Sequence, residues 1–171
     1  MKGKILDYIA WTLLVVSIIL LKLTSNFVEN LVSGKRFALE MAGVGLVFAS
    51  LWMFLLYKLK PSYFKGGEKR ASAVLSQFFS IVILTIFLST FYNYKTGIKN
   101  LSRVKAIVLT KSTNAYKGTT YVTLYIRNKK ERFNPRGNEY KILKVGDTIN
   151  VLVGRGALNW EFIYKFQETA D

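Results

Sequence analysis

The stretch that decides the architecture is residues 71–94, ASAVLSQFFSIVILTIFLSTFYNY, which holds no Asp, Glu, Lys or Arg. At about 1.5 Å per residue, a helix of that length crosses a hydrocarbon layer of roughly 30 Å. Toward the N-terminus, residues 37–57 form a second apolar run whose only charge is Glu40, and residues 5–23 a third, interrupted by Asp7 and Lys22. The third has the shortest charge-free core, Tyr8 to Leu21, and Lys2 and Lys4 precede it as in a signal peptide. No small-x-small cleavage site follows Leu21, so it reads as an uncleaved signal anchor. Residues 1–100 are therefore predicted to be a three-helix transmembrane region with spans of about 5–23, 37–57 and 71–94. Tyr8, Trp11, Tyr57, Tyr92 and Tyr94 stand near span ends, as an interfacial belt requires, and Lys58, Lys60 and Pro61 stop the second helix.

The composition narrows the chemistry. The chain has 171 residues, 25 Lys+Arg against 10 Asp+Glu, no His and no Cys, and 51% hydrophobic residues. Without imidazole or thiol it cannot build the usual zinc site, a Ser/His/Asp triad, a Cys nucleophile or a disulfide. Ser62-Tyr-Phe-Lys65 and Lys95-Thr-Gly97 match fragments of serine acyl-transfer motifs, but the third motif of that set is missing and the context of both is wrong. Asp147 and Glu161 are the candidates for a carboxylate pair; the first sits in a Gly-Asp turn and the second on the outward face of the last strand. The expectation is a non-enzymatic protein with no catalytic residue, cofactor or metal site.

Lys and Arg counts argue orientation. With three spans, the N-terminus and the second loop share a side and carry Lys2, Lys4, Lys58, Lys60, Lys65, Lys69 and Arg70; the first loop carries Lys22, Lys35 and Arg36. The tail adds Lys95, Lys99, Arg103 and Lys105 to the first loop's side, but long tails translocate largely regardless of charge. The expected location is the cell membrane, multi-pass, N-terminus cytoplasmic and tail extracytoplasmic. Inside the bundle, Ala38, Ala42, Gly45 and Ala49 form a small-residue stripe on the second helix, and Ser72, Ser76 and Ser80 one on the third. Such stripes admit close helix contact, within the chain or between copies as a homo-oligomer. Asp7 and Glu40 are read as first-turn carboxylates favoured by the helix dipole. No polar stripe crosses the bundle, so a transporter or channel is not supported.

From Arg103 onward the period changes to two. Thr119–Arg127 alternates, with Val122, Leu124 and Ile126 on one face and Tyr121, Thr123, Tyr125 and Arg127 on the other. Further strands are predicted at Val104–Thr110, Tyr140–Leu143, Thr148–Val153 and Leu158–Phe166, separated by Gly- and Asn-bearing turns. Residues 101–171 are thus expected to be a small all-β, barrel-like domain of the OB or SH3-like kind. In the closing strand, Leu158, Trp160, Phe162, Tyr164 and Phe166 are placed together on the core side.

Three helices followed by Lys105-Ala-Ile-Val-Leu, a tyrosine-bearing strand and the run Leu143-Lys-Val-Gly-Asp-Thr-Ile-Asn-Val-Leu-Val-Gly resemble small bacterial multipass membrane proteins of unknown function with a C-terminal β domain. The resemblance covers the tail, and its motif is largely the chemistry of a Gly-Asp turn. Some such proteins act as immunity proteins against toxins, and the resemblance admits that role. Mechanosensitive channels of small conductance also place a β domain after three helices, but their third helix is rich in Gly and Ala, whereas this one is bulky.

The candidate binding face is basic and aromatic: Tyr116, Lys117, Tyr121, Tyr125, Arg127, Lys129, Lys130, Arg132 and Arg136, drawn from adjacent strands and their connection. It suits anionic lipid headgroups, an acidic protein or single-stranded nucleic acid. A solvated sheet face with paired tyrosines is the bland alternative. An extracytoplasmic tail disfavours nucleic acid. The expected partners are membrane lipids and a protein, either in an envelope complex that this chain serves as accessory or scaffold subunit, or a toxin that it neutralises. A cytoplasmic β domain binding anionic lipid or nucleic acid is the remaining reading.

Overall fold

A computed structural model of the chain describes residues 2–65, 67–114, 118–135 and 138–167. Its elements are α1 (Lys2–Glu29), α2 (Gly34–Leu59), a 3-10 turn (Pro61–Tyr63), α3 (Gly67–Gly97), β1 (Leu101–Asn114), β2 (Thr119–Ile126), β3 (Lys129–Phe133), α4 (Glu139–Ile142), β4 (Thr148–Arg155) and β5 (Glu161–Gln167). They fall into two compact units: Met1–Ser25 with Ala38–Ser89, and Asn26–Phe37 with Thr90–Asp171.

The first unit is helical, and all three of its helices are long and apolar enough to cross a membrane. Small side chains make the contacts between them: Ala10, Ser17, Ala49, Ala73 and Ser80 are buried. Leu13, Ile18, Val47, Phe48, Leu51, Trp52, Phe54 and Phe79 are exposed. A soluble helical core has the opposite distribution, because burying large apolar side chains is what stabilises it. The helices also begin earlier than the apolar runs. With α1 starting at Lys2 and α2 at Gly34, neither has an acid in its first turn, so the first-turn reading of Asp7 and Glu40 is corrected. Lys and Arg are good helix formers and carry the helices past their apolar segments.

The second unit is built on a five-stranded antiparallel sheet of order β3-β2-β1-β4-β5, curled into a half-barrel. The long β1 is its spine: Leu101–Ile107 pairs with β4 and Ile107–Asn114 with β2, with a bulge between Val108 and Thr110. One face of the sheet carries the core, made by Ala106, Val108, Val122, Leu124, Ile126, Phe133, Ile149, Val151, Val153, Ile163 and Phe166 with Leu143. The alternation read at Val122, Leu124 and Ile126 is what places these side chains there. Lys111 Nζ donates to Leu143 O at 2.6 Å and lies over the Tyr140 ring, holding α4 against that face.

Three local expectations are corrected. Tyr140–Leu143 is not a strand; Glu139–Ile142 is one helical turn. The closing strand does not put its aromatics on one side, because pairing shifts between Leu152 and Val153 and skips Tyr164. That extra residue reverses the alternation: Ile163 and Phe166 enter the core, Phe162 turns to the other face and Tyr164 is exposed. Lys129–Phe133 is a strand that the charged sequence hides. Its hairpin with β2 turns on Arg127 and Asn128, both left-handed with φ of 51° and 62°, as a two-residue type I′ turn requires.

The two edges of the half-barrel are tied by the connection between α1 and α2. On the β5 edge, Val32 N donates to Glu161 O at 2.8 Å and Ile163 N to Asn30 O at 2.9 Å, around an antiparallel bridge between Leu31 and Phe162. On the β3 side, Asn134 N donates to Asn30 Oδ1 at 3.0 Å, Asn134 Nδ2 to Glu29 Oε2 at 3.1 Å, and Ser33 Oγ to Glu131 Oε1 at 2.9 Å. Exposed strand edges invite pairing with other chains; this segment pairs with the β5 edge through its backbone and is tied to the β3 side through side chains.

The last turns of α3 rest on the sheet face opposite the core. Tyr94 stacks against Phe162 with ring centroids 4.7 Å apart. A Cβ on Gly154 would lie 2.8 Å from the Gly97 carbonyl oxygen, so only glycine fits there. Asn93, wholly buried, donates to Trp160 O at 3.0 Å and accepts from Leu158 N at 3.2 Å, while Thr96 Oγ1 accepts from Ala157 N at 2.9 Å.

Candidate functional site

Strand register decides which side chains share the face opposite the core. On β2 these are Tyr121, Thr123 and Tyr125; across the ladder, Lys130 stands opposite Tyr125 and Arg132 opposite Thr123. Arg132 lies with its guanidinium carbon 3.7 Å from the centroid of the Tyr121 ring, a cation–π contact that orders both side chains. On β1, Ile107 pairs with Tyr125, and Lys105 and Arg103 follow it on the same face. Arg103 stands opposite Leu152 of β4, which on its other side faces Lys165 of β5. Arg103, Lys105, Lys130, Arg132 and Lys165 are exposed, as are Ile107 and Tyr125.

No Asp or Glu among the described strand residues shares this outer face: by register, Glu131 stands opposite Leu124 and Glu161 opposite Arg155, both on the core side. The result, among the described strand residues, is a band of five cations with two tyrosines and no acid on the same face. Local potential of one sign is what recruits a partner of the other.

Of the nine residues expected to share a face, the structure brings together Tyr121, Tyr125, Lys130 and Arg132. Lys129 stands opposite Ile126 on the core side, at the exposed rim. Arg127 occupies the turn, where its Nη2 is 3.4 Å from Glu161 Oε1; with Arg127 half exposed, the pair contributes little stability. Tyr116, Lys117 and Arg136 lie outside the described residues. Arg103, Lys105 and Lys165 are additions that sequence reading missed. The period-two pattern of β1 shows which of its residues alternate, but only the register says that they continue the face of β2.

The carboxylates do not make a pair. β4 starts just after Asp147, and its far end, Arg155, pairs with Glu161, so the two acids stand at opposite ends of one hairpin, roughly 25 Å apart along the strand. Among the described residues no group of three or more acids stands ready for a metal ion.

In the helical unit the small-residue stripes serve different neighbours. A Cβ on Gly45 would lie 2.9 Å from Val82 Cα and 3.2 Å from Thr85 Cβ, so α2 meets α3 at glycine-limited distance. Ala49 is buried on the same stripe, and Ala38 and Ala42 are half-buried. The serines of α3 bond within their own helix, Ser76 Oγ to Ser72 O at 2.9 Å and Ser80 Oγ to Ser76 O at 2.6 Å. Their stripe meets α1, where Ser17 Oγ lies 3.5 Å from Ser80 O. A polar cluster sits at one end of this unit. Gln77 Nε2 is 3.4 Å from the Tyr63 hydroxyl, and burial pushes that phenol up, with the Asp7 charge adding and Arg70 opposing.

The chain matches no protein-family model and no curated protein sequence.

Proposed function

We propose that this is a non-enzymatic integral membrane protein whose three apolar helices are membrane spans and whose β unit presents a basic sheet face to an acidic partner beside the membrane, as an accessory or scaffold subunit of an envelope complex. The observation that supports it is the face itself: Tyr121, Tyr125, Lys130 and Arg132 lie together on β2 and β3 with no acid among them. An acidic surface docking there gains charge complementarity that speeds association and two amphipathic rings that bury well. The exposed apolar side chains of the helices support the membrane reading, since an apolar surface of that extent is stable only against lipid or another protein.

The orientation in this reading is N-terminus cytoplasmic and β unit outside. Alkaline phosphatase and green fluorescent protein, each fused after Asp171 in parallel bacterial strains, test it. Phosphatase activity without fluorescence is the expected result; fluorescence without phosphatase activity reverses the orientation and moves cytoplasmic anionic partners to the front. A scaffold further requires a defect when the gene is deleted or when Lys130→Glu and Arg132→Glu are introduced, with no toxin present. A defect confined to cells exposed to a toxin favours the immunity role instead.

A further inference from the structure

The basic band has a second half that the partner-binding patch does not use. Arg103 and Lys165 flank Leu152 in one row across β1, β4 and β5, and Lys105 begins the next row beside Asn150. One residue pair back along the ladder is the row Leu101, Gly154, Phe162, and that row is where the end of α3 lies: Gly97 is against Gly154, and Tyr94 against Phe162. Residues two apart along a strand are roughly 7 Å apart, so Arg103 and Lys165 stand about that far from the helix end.

The consequence is geometric. In the membrane reading, on which this inference rests, α3 is the last span, and Tyr92 and Tyr94 mark where it leaves the hydrocarbon. The part of the sheet face that receives the helix end then lies beside the headgroups around α3. The same face carries the cations and, among described strand residues, no acid. Only residues 98–100 separate α3 from β1, a tether of roughly 14 Å at full extension, so β1 begins within that reach of the helix end.

We infer that Arg103, Lys105 and Lys165 dock the β unit on the phosphates of anionic phospholipids in the leaflet from which α3 emerges. Each cation at an anionic surface contributes about fivefold to association. Tyr121, Tyr125, Lys130 and Arg132 lie farther from the helix end, on the β2 and β3 side of the sheet, where the protein partner docks.

The test uses the full-length chain in lipid nanodiscs. The protein has no cysteine, so Asn150→Cys, between Lys105 and β5, accepts a single fluorophore. Quenching by a headgroup nitroxide is compared in discs of phosphatidylcholine alone and in discs that also contain phosphatidylglycerol. Stronger quenching in the anionic discs is expected, falling at high salt and lost when Arg103→Gln, Lys105→Gln and Lys165→Gln are combined. Lys165→Gln alone gives a partial loss of about fivefold in headgroup association. Lys130→Gln with Arg132→Gln leaves the quenching intact. Equal quenching in the two kinds of disc overturns the proposal, as does a loss that the distal pair causes equally, because net charge alone would then explain it. A chain that cannot enter discs of either kind overturns the membrane reading as well, whereas one that enters and shows no lipid preference overturns this inference alone.

Discussion

Asn93 and Gly156 form a joint in which each residue requires the other. A Cβ at Gly156 would overlap the Asn93 carbonyl oxygen and side-chain amide, and that amide in turn holds Trp160 O and Leu158 N. Asn93→Ala takes the side-chain acceptor from Leu158 N and leaves Trp160 O with the Gly156 N–H alone, at a cost of about 1–3 kcal/mol. Gly156→Ala forces a shift of α3 or the loop, also about 1–3 kcal/mol. Chemical denaturation followed by Trp160 emission, with Trp11 and Trp52 replaced by Phe, measures both; an unchanged midpoint for either variant would show that the loop does not depend on this joint. Little of it was legible beforehand. An Asn and a Gly more than sixty residues apart carry no local mark of contact.

The element with the largest influence for its length is the connection between α1 and α2. Reading along the chain, it is only a polar link between two apolar runs; in the fold, Glu29–Ser33 bonds to both β3 and β5. Its two attachments can be separated. Asn30→Ala removes the side-chain acceptor for Asn134 N but keeps the backbone carbonyl that accepts from Ile163 N, so hydrogen exchange should quicken at Asn134 and stay slow at Ile163. Val32→Pro removes the N–H that donates to Glu161 O and should release the β5 edge, quickening exchange at Ile163. Slow exchange at both amides in both variants would mean that the connection does not hold the edges. The same scale explains β3: Lys129–Phe133 pairs because the Arg127–Asn128 turn delivers it to β2, not because Lys-Lys-Glu-Arg-Phe favours a strand, and its charges suit an edge.

For the molecule as a whole, the helical unit carries its large apolar side chains outward, and one substitution separates lipid from water as their neighbour. Val47 lies near the middle of α2 and is 60% exposed. In a bilayer, Val47→Lys costs about 2.5–3.5 kcal/mol of insertion free energy. On a water-facing surface the same change falls within about ±0.5 kcal/mol. Carbonate-resistant membrane association should therefore drop for Val47→Lys and hold for Lys58→Gln at the end of the helix. Equal behaviour of the two variants would sink the membrane reading.

The local patterns were decided by the sequence itself: three apolar runs, the β2 alternation at Val122, Leu124 and Ile126, and the turn at Gly146, whose φ is 94°. Each rests on residues a few positions apart, where periodicity and backbone sterics act. Tertiary structure alone decided the rest. The Tyr164 bulge sends Phe162 to one face and Phe166 to the other, the Glu29–Ser33 segment closes the sheet edges, and Arg103, Lys105 and Lys165 join the face begun by Tyr125 and Lys130. Those outcomes depend on pairing register and on contacts between distant segments, and a one-residue shift in register moves every side chain of a strand to the opposite face.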